Sequence, residues 1–177
     1  EVLEGQRLMV ERGAVIETAW MGDTPVRLVA AGTVIGAGAR WRGVSIVLAG
    51  GAVALDTDTL RGTGDQILID ARGPGTLTAT GVTFRGPGTG LALAGDPNRA
   101  TVTRGVFVGL GTGIDIATDA PLSLPGATLE NNVVGLRLAT AAPGAGILLD
   151  GGALRSTIGP SQIGIEVVGD ERDAVIF

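Results

Sequence analysis

The chain is predicted to be all-β, a right-handed parallel β-helix of about six to seven rungs with three strands each. Three observations predict it. Residues 82–93 (VTFRGPGTGLAL), 105–116 (GVFVGLGTGIDI) and 127–138 (ATLENNVVGLRL) repeat one pattern at offsets of 23 and 22 residues. Short apolar runs alternate with period two, which is a strand signal. The 31 Gly and 8 Pro of the 177 residues interrupt every window of helical length.

Each repeat divides into three strands. The first is read at Val26-Arg27-Leu28, Val53-Ala54-Leu55, Leu77-Thr78-Ala79, Thr101-Val102-Thr103, Leu122-Ser123-Leu124 and Ile147-Leu148-Leu149. The second centres on one large apolar residue: Ile35, Leu60, Phe84, Phe107, Leu129 and Leu154. The third reads apolar-x-apolar, as in Val44-Ser45-Ile46, Ile67-Leu68-Ile69 and Ile163-Gly164-Ile165. One such rung has two unpaired edges and an interior it cannot bury alone. Stacking the next rung at ~4.8 Å meets both needs. The expected inward column on the third strand is Val44, Ile67, Leu91, Ile114, Leu136 and Ile165. Handedness follows from coil length. Left-handed helices of this type keep a strict hexapeptide period, whereas here the coils are longer and their loops vary.

The units Phe84-Arg85-Gly86-Pro87-Gly88-Thr89-Gly90-Leu91 and Phe107-Val108-Gly109-Leu110-Gly111-Thr112-Gly113-Ile114, with Asn131-Asn132-Val133-Val134-Gly135-Leu136, resemble the repeats of the right-handed parallel β-helix, or pectin-lyase-like, superfamily. The resemblance covers nearly the whole chain. It implies a fold and no single activity, since members include polysaccharide lyases, polygalacturonases, epimerases, tailspikes and autotransporter passengers.

Residues 1–177 are read as one β-helix domain. The strand-like material at both ends implies either a segment of a longer solenoid, the preferred reading, or ends that pair with another subunit. No run of 18 apolar residues occurs, so no membrane span is expected. Cys and His are absent and all 13 basic residues are Arg. Disulfides, thiolate metal sites and Ser-His or Cys-His triads are therefore excluded. A net charge of −5 argues against a nucleic-acid partner.

Outward residues are where chemistry would lie. On the third strand the expected outward column is Ser45, Leu68, Ala92, Asp115, Arg137 and Glu166, of which Asp115-Arg137-Glu166 is read as a solvated salt-bridge ladder, with a binding strip as the functional alternative. On the second strand Thr59, Thr83, Val106 and Thr128 face out, beside Arg61, Arg85, Val108 and Glu130. Arg61 and Arg85 are like charges one rung apart. Either a neighbouring acid such as Asp65 neutralises them or they grip an anionic sugar bidentately. Asp56 and Asp58 are two residues apart. They are read as corner residues, with a calcium site or half of a glycosidase acid pair as the functional alternatives. The candidate surface site is thus Arg61, Arg85, Asp56 and Asp58; no catalytic residue and no cofactor is assigned.

The function expected from this is a non-catalytic structural or adhesive domain, secreted or at a cell surface. Its partner would be a polysaccharide or another protein surface. The alternatives are a polysaccharide lyase, hydrolase or epimerase, and a component that assembles end to end.

Overall fold

A computed structural model describes residues 1–17, 26–94, 99–117, 122–140, 146–148, 153–154, 163–169 and 175–176. All regular structure among them is β, in three parallel sheets of eight, seven and seven strands. Each turn gives one strand to each sheet. Ala52–Asp56, Thr59–Arg61 and Ile67–Ala71 make one turn, and each pairs with the strand three places on in the chain. The chain is therefore a parallel β-solenoid. No described helix is long and apolar enough to cross a membrane.

Two residues make the corner between first and second sheets. The first has a left-handed backbone: Gly38 and Gly81 supply it without strain, Thr57 and Arg104 at φ 56° and 51°. The second points inward and is small or apolar in most turns: Ala39, Val82 and Ala127 are fully buried. Asp58 stands in this inward place. Backbone bonds run through the corner from rung to rung, such as Thr59 N–H to Ala39 O at 2.9 Å and Thr83 N–H to Asp58 O at 2.9 Å. The parallel ladder is thus almost unbroken around the coil.

The core is a set of columns. The second sheet stacks Ile16, Trp41, Leu60, Phe84, Phe107 and Leu129 in register. The Phe84 and Phe107 rings are parallel to within 3°, centroids 4.4 Å apart. Burying each adds about 1.5–3 kcal/mol, and the stacked pair a little more. The third sheet stacks Leu28, Ile46, Ile69, Leu91, Ile114, Leu136 and Ile165.

Several assignments differ from the sequence expectation, all but one of them in the first turns. Val26–Ala30 belongs to the third sheet, paired with Val44–Leu48. Ile35 lies in the first sheet, on Thr33–Ala37, and Trp41 takes the inward place on the second. Ile46 and Ile69, not Val44 and Ile67, continue the third-sheet column. These slips keep the face but shift the pairing by two. Longer and irregular connections there hide the 22–23-residue spacing. Leu68 is a larger correction. It is 0% exposed, part of the core rather than an outward residue. It sits where later turns place Gly90 and Gly113, near the start of the strand, where the alternation of faces is broken. The outward column is consequently Val47, Asp70, Ala92, Asp115, Arg137 and Glu166.

Candidate functional site: an arginine stripe on the second sheet

The second sheet is built from three-residue strands. Arg40–Arg42 (RWR), Thr59–Arg61 (TLR) and Thr83–Arg85 (TFR) each point the middle residue into the core. Period-two geometry then turns both flanking residues outward. The register places Arg42 on Arg61 and Arg61 on Arg85. Three guanidinium groups therefore rise from neighbouring rungs, ~4.8 Å apart at their Cα atoms. Arg40 precedes Arg42 on the same face, over Thr59 and Thr83.

These residues line a shallow recess of about 610 Å³, bounded on one side by Val15 and Glu17. Glu17 closes one end of the stripe, its Oε1 2.7 Å from Arg42 Nη1. Beyond Arg85 the column continues through Val108 to Glu130. Arg61 and Arg85 form no ion pair among the described residues, Asp65 included. Like charges this close repel by roughly 1 kcal/mol per neighbour in water, less with salt and with splayed side chains. Four arginines against one glutamate leave the recess at +3 in a chain of net charge −5. It offers forked donors at regular spacing, a surface suited to a row of carboxylate or sulfate groups.

Arg61 and Arg85 are thus together, as their spacing suggested. Arg40 and Arg42 were missed. The signal existed, since R-W-R repeats the polar-apolar-Arg pattern of T-L-R and T-F-R, but placing Ile35 in the inward column concealed it.

Asp56 and Asp58 do not converge on one another. The left-handed Thr57 between them turns Asp56 to solvent and Asp58 into the corner, where it is 1% exposed. Asp58 Oδ1 accepts from Ala39 N at 2.8 Å and from Trp41 Nε1 at 3.2 Å; Oδ2 accepts from Asp56 N at 2.9 Å. Burial pushes its carboxyl above the usual carboxylate range, against the pull of the hydrogen bonds from Trp41, Ala39 and Asp56. A Cβ at Gly36 would lie 2.6 Å from Oδ2, so a larger residue there would displace the carboxylate. Asp58 is a buried corner staple and not a surface ligand. Among the described residues no three acidic side chains gather as a cation site would require.

Asn132 does similar work at the second corner, accepting from Leu110 N and donating to Phe107 O, both at 3.0 Å.

The third sheet carries a different pattern. Asp70 receives two bonds of 2.7 Å from Arg72, and Arg27 lies 3.8 Å away. The Arg72 hydrogen bond holds the Asp70 carboxyl below the usual range. Arg137 Nε donates to Glu166 at 2.6 Å, and Asp115 pairs in register with Arg137. Positive and negative groups alternate here, so this face neutralises itself. Ala92, in the same outward column, is only 3% exposed and offers no apolar patch.

No family model matches the chain, and no curated protein or solved structure shows significant similarity to it.

Proposed function

We propose that this solenoid is a non-catalytic structural or adhesive domain, secreted or displayed at a cell surface, which holds an anionic polysaccharide along its arginine stripe. The observation that carries the reading is the in-register column Arg42–Arg61–Arg85, flanked by Arg40. A repulsive column is costly by itself and is relieved by a ligand with its own repeating negative charge. Linear acidic glycans supply this, with one charge on each sugar or each disaccharide. The likeness of the G-x-G-T-G turns to right-handed pectin-lyase-like repeats agrees with a polysaccharide partner. Grip without cleavage fits the chemistry on this face: the one carboxylate lining the recess, Glu17, is already paired to Arg42.

Calorimetric titration of the 177-residue chain with polygalacturonate, dextran sulfate and neutral dextran tests the reading. The two anionic polymers are expected to bind and dextran is not. Exposed charge pairs contribute about 0.2–1 kcal/mol each, so Arg61→Gln with Arg85→Gln should weaken binding roughly two- to thirtyfold. The slope of log affinity against log salt should flatten in the same variant. Shortening of the polymer during the titration would favour a polysaccharide-degrading enzyme instead. Equal affinity for duplex DNA would count against a glycan partner.

A further inference from the structure

We infer that Asp58 is a positioning residue for the arginine stripe, acting from inside the solenoid through the indole of Trp41. The inference rests on the reading of the stripe as a polyanion site. Its basis is placement. Asp58 occupies a corner position that the turns on either side fill with Ala39 and Val82, and a later one with Ala127, where no charge is needed to complete the fold. One oxygen holds Ala39 N and Trp41 Nε1 together. These two donors bracket Arg40, and Trp41 lies between Arg40 and Arg42. Asp58 also leads directly into Thr59–Arg61, which carries the third arginine. A single carboxylate thus joins the strand bearing Arg40 and Arg42 to the strand bearing Arg61, from the face opposite the recess.

A three-residue strand has little backbone of its own to fix its roll about the strand axis. For Arg40–Arg42, the ladders on either side set the course of the strand and the inward Trp41 adds a side-chain constraint on its roll. The indole N–H has one acceptor, so rotation of the ring would strand a buried donor and take one of three hydrogen bonds from a buried carboxylate. Fixing Trp41 therefore fixes the direction in which Arg40 and Arg42 leave the sheet. The stripe is ordered in advance at no expense of binding energy.

The test uses dextran sulfate, whose charge does not change with mild acid, against dextran as control. Asp58→Asn removes the charge, and Trp41→Phe removes the indole donor while keeping a ring in the core. Each is expected to weaken dextran sulfate binding roughly three- to tenfold, because two of the four arginines lose their alignment. Each should also leave the Arg61→Gln effect in place. A pH series supplies a readout that loss of stability alone would not move. Wild-type affinity should fall as Asp58 takes up a proton, and that fall should be absent in Asp58→Asn. The charged group that acts on Asp58 is Asp56 on its own segment; Arg40 and Arg42, on the packed strand, leave by the opposite face. If wild type binds while Asp58→Asn and Trp41→Phe bind equally well, Asp58 is a fold staple only and the inference is wrong. If wild type does not prefer dextran sulfate to dextran, the stripe reading fails and takes this inference with it.

Discussion

Substituting three glycines one at a time by Ala tests the close stacking of the coils. A Cβ on Gly113 would sit 2.5 Å from Gly135 O, and 3.2 Å from both Leu129 and Asn132. The nearest obstacle is backbone of the next rung, which cannot rotate away. The same approach recurs above and below, with Gly90 2.6 Å from Gly113 O and Gly135 2.5 Å from Gly164 O. Relief requires the rungs to part or slide, and overpacking of this kind costs about 2–3 kcal/mol. Gly109 has open space but φ +65°, so Ala there meets only the left-handed penalty of roughly 1–2 kcal/mol. Gly64 has open space and an ordinary φ, so Ala is expected to be neutral or to stabilise by ~0.4–1 kcal/mol through the unfolded chain. That last gain is common to all three and cancels in their differences. For a chain of this size, 1 kcal/mol moves Tm by roughly 2–4 °C. Gly113→Ala should therefore melt at least about 4–12 °C below Gly64→Ala, with Gly109→Ala between them. Thermal melts by circular dichroism at 218 nm suffice, because the signal is that of strand. Coincident melting of Gly113→Ala and Gly64→Ala would refute the close-approach argument.

Two further outcomes follow from the packing and the charges. Leu68→Ala should cost about 2–5 kcal/mol in a denaturant titration, since the side chain is fully buried; a surface leucine would cost almost nothing. Asp70→Asn should destabilise near pH 7 and become harmless in acid. The Asp70 carboxyl is held low in the folded state, so its stabilisation is present above the unfolded-state value and is lost as pH falls through the folded one. Arg72 is about half exposed, which keeps the expected loss to about 1–2 kcal/mol. A gap between wild type and variant that stays constant from pH 7 to pH 2 would remove Arg72 and Arg27 as the cause.

From Ala52 to Leu138 the strands could be read from the chain alone, save that Ile67–Ala71 reads two residues out of register. In that stretch the inward residues recur at nearly constant spacing, and Phe84, Phe107 and Leu129 pair where their 23- and 22-residue offsets put them. Period-two alternation also assigns faces, which is why Arg61 and Arg85 emerge side by side. Upstream the same logic slipped. Trp41 and Ile35 both fit an inward strand centre, and only the ladder between Arg40–Arg42 and Thr59–Arg61 chooses between them.

What the sequence determined by itself was the class of fold and the stacking direction, because a repeated, thin, aliphatic rung can bury its interior only against a copy of itself. What only the tertiary structure decided was the corners and the register. Neither a corner nor a break in the alternation reports a residue's face, so Asp58 at a corner and Leu68 near a strand start, both legible as surface residues, turn out buried. Register is set by hydrogen bonds between residues some twenty positions apart. Those bonds bring Arg42 into line with Arg61 and Arg85, and place a buried carboxylate behind them.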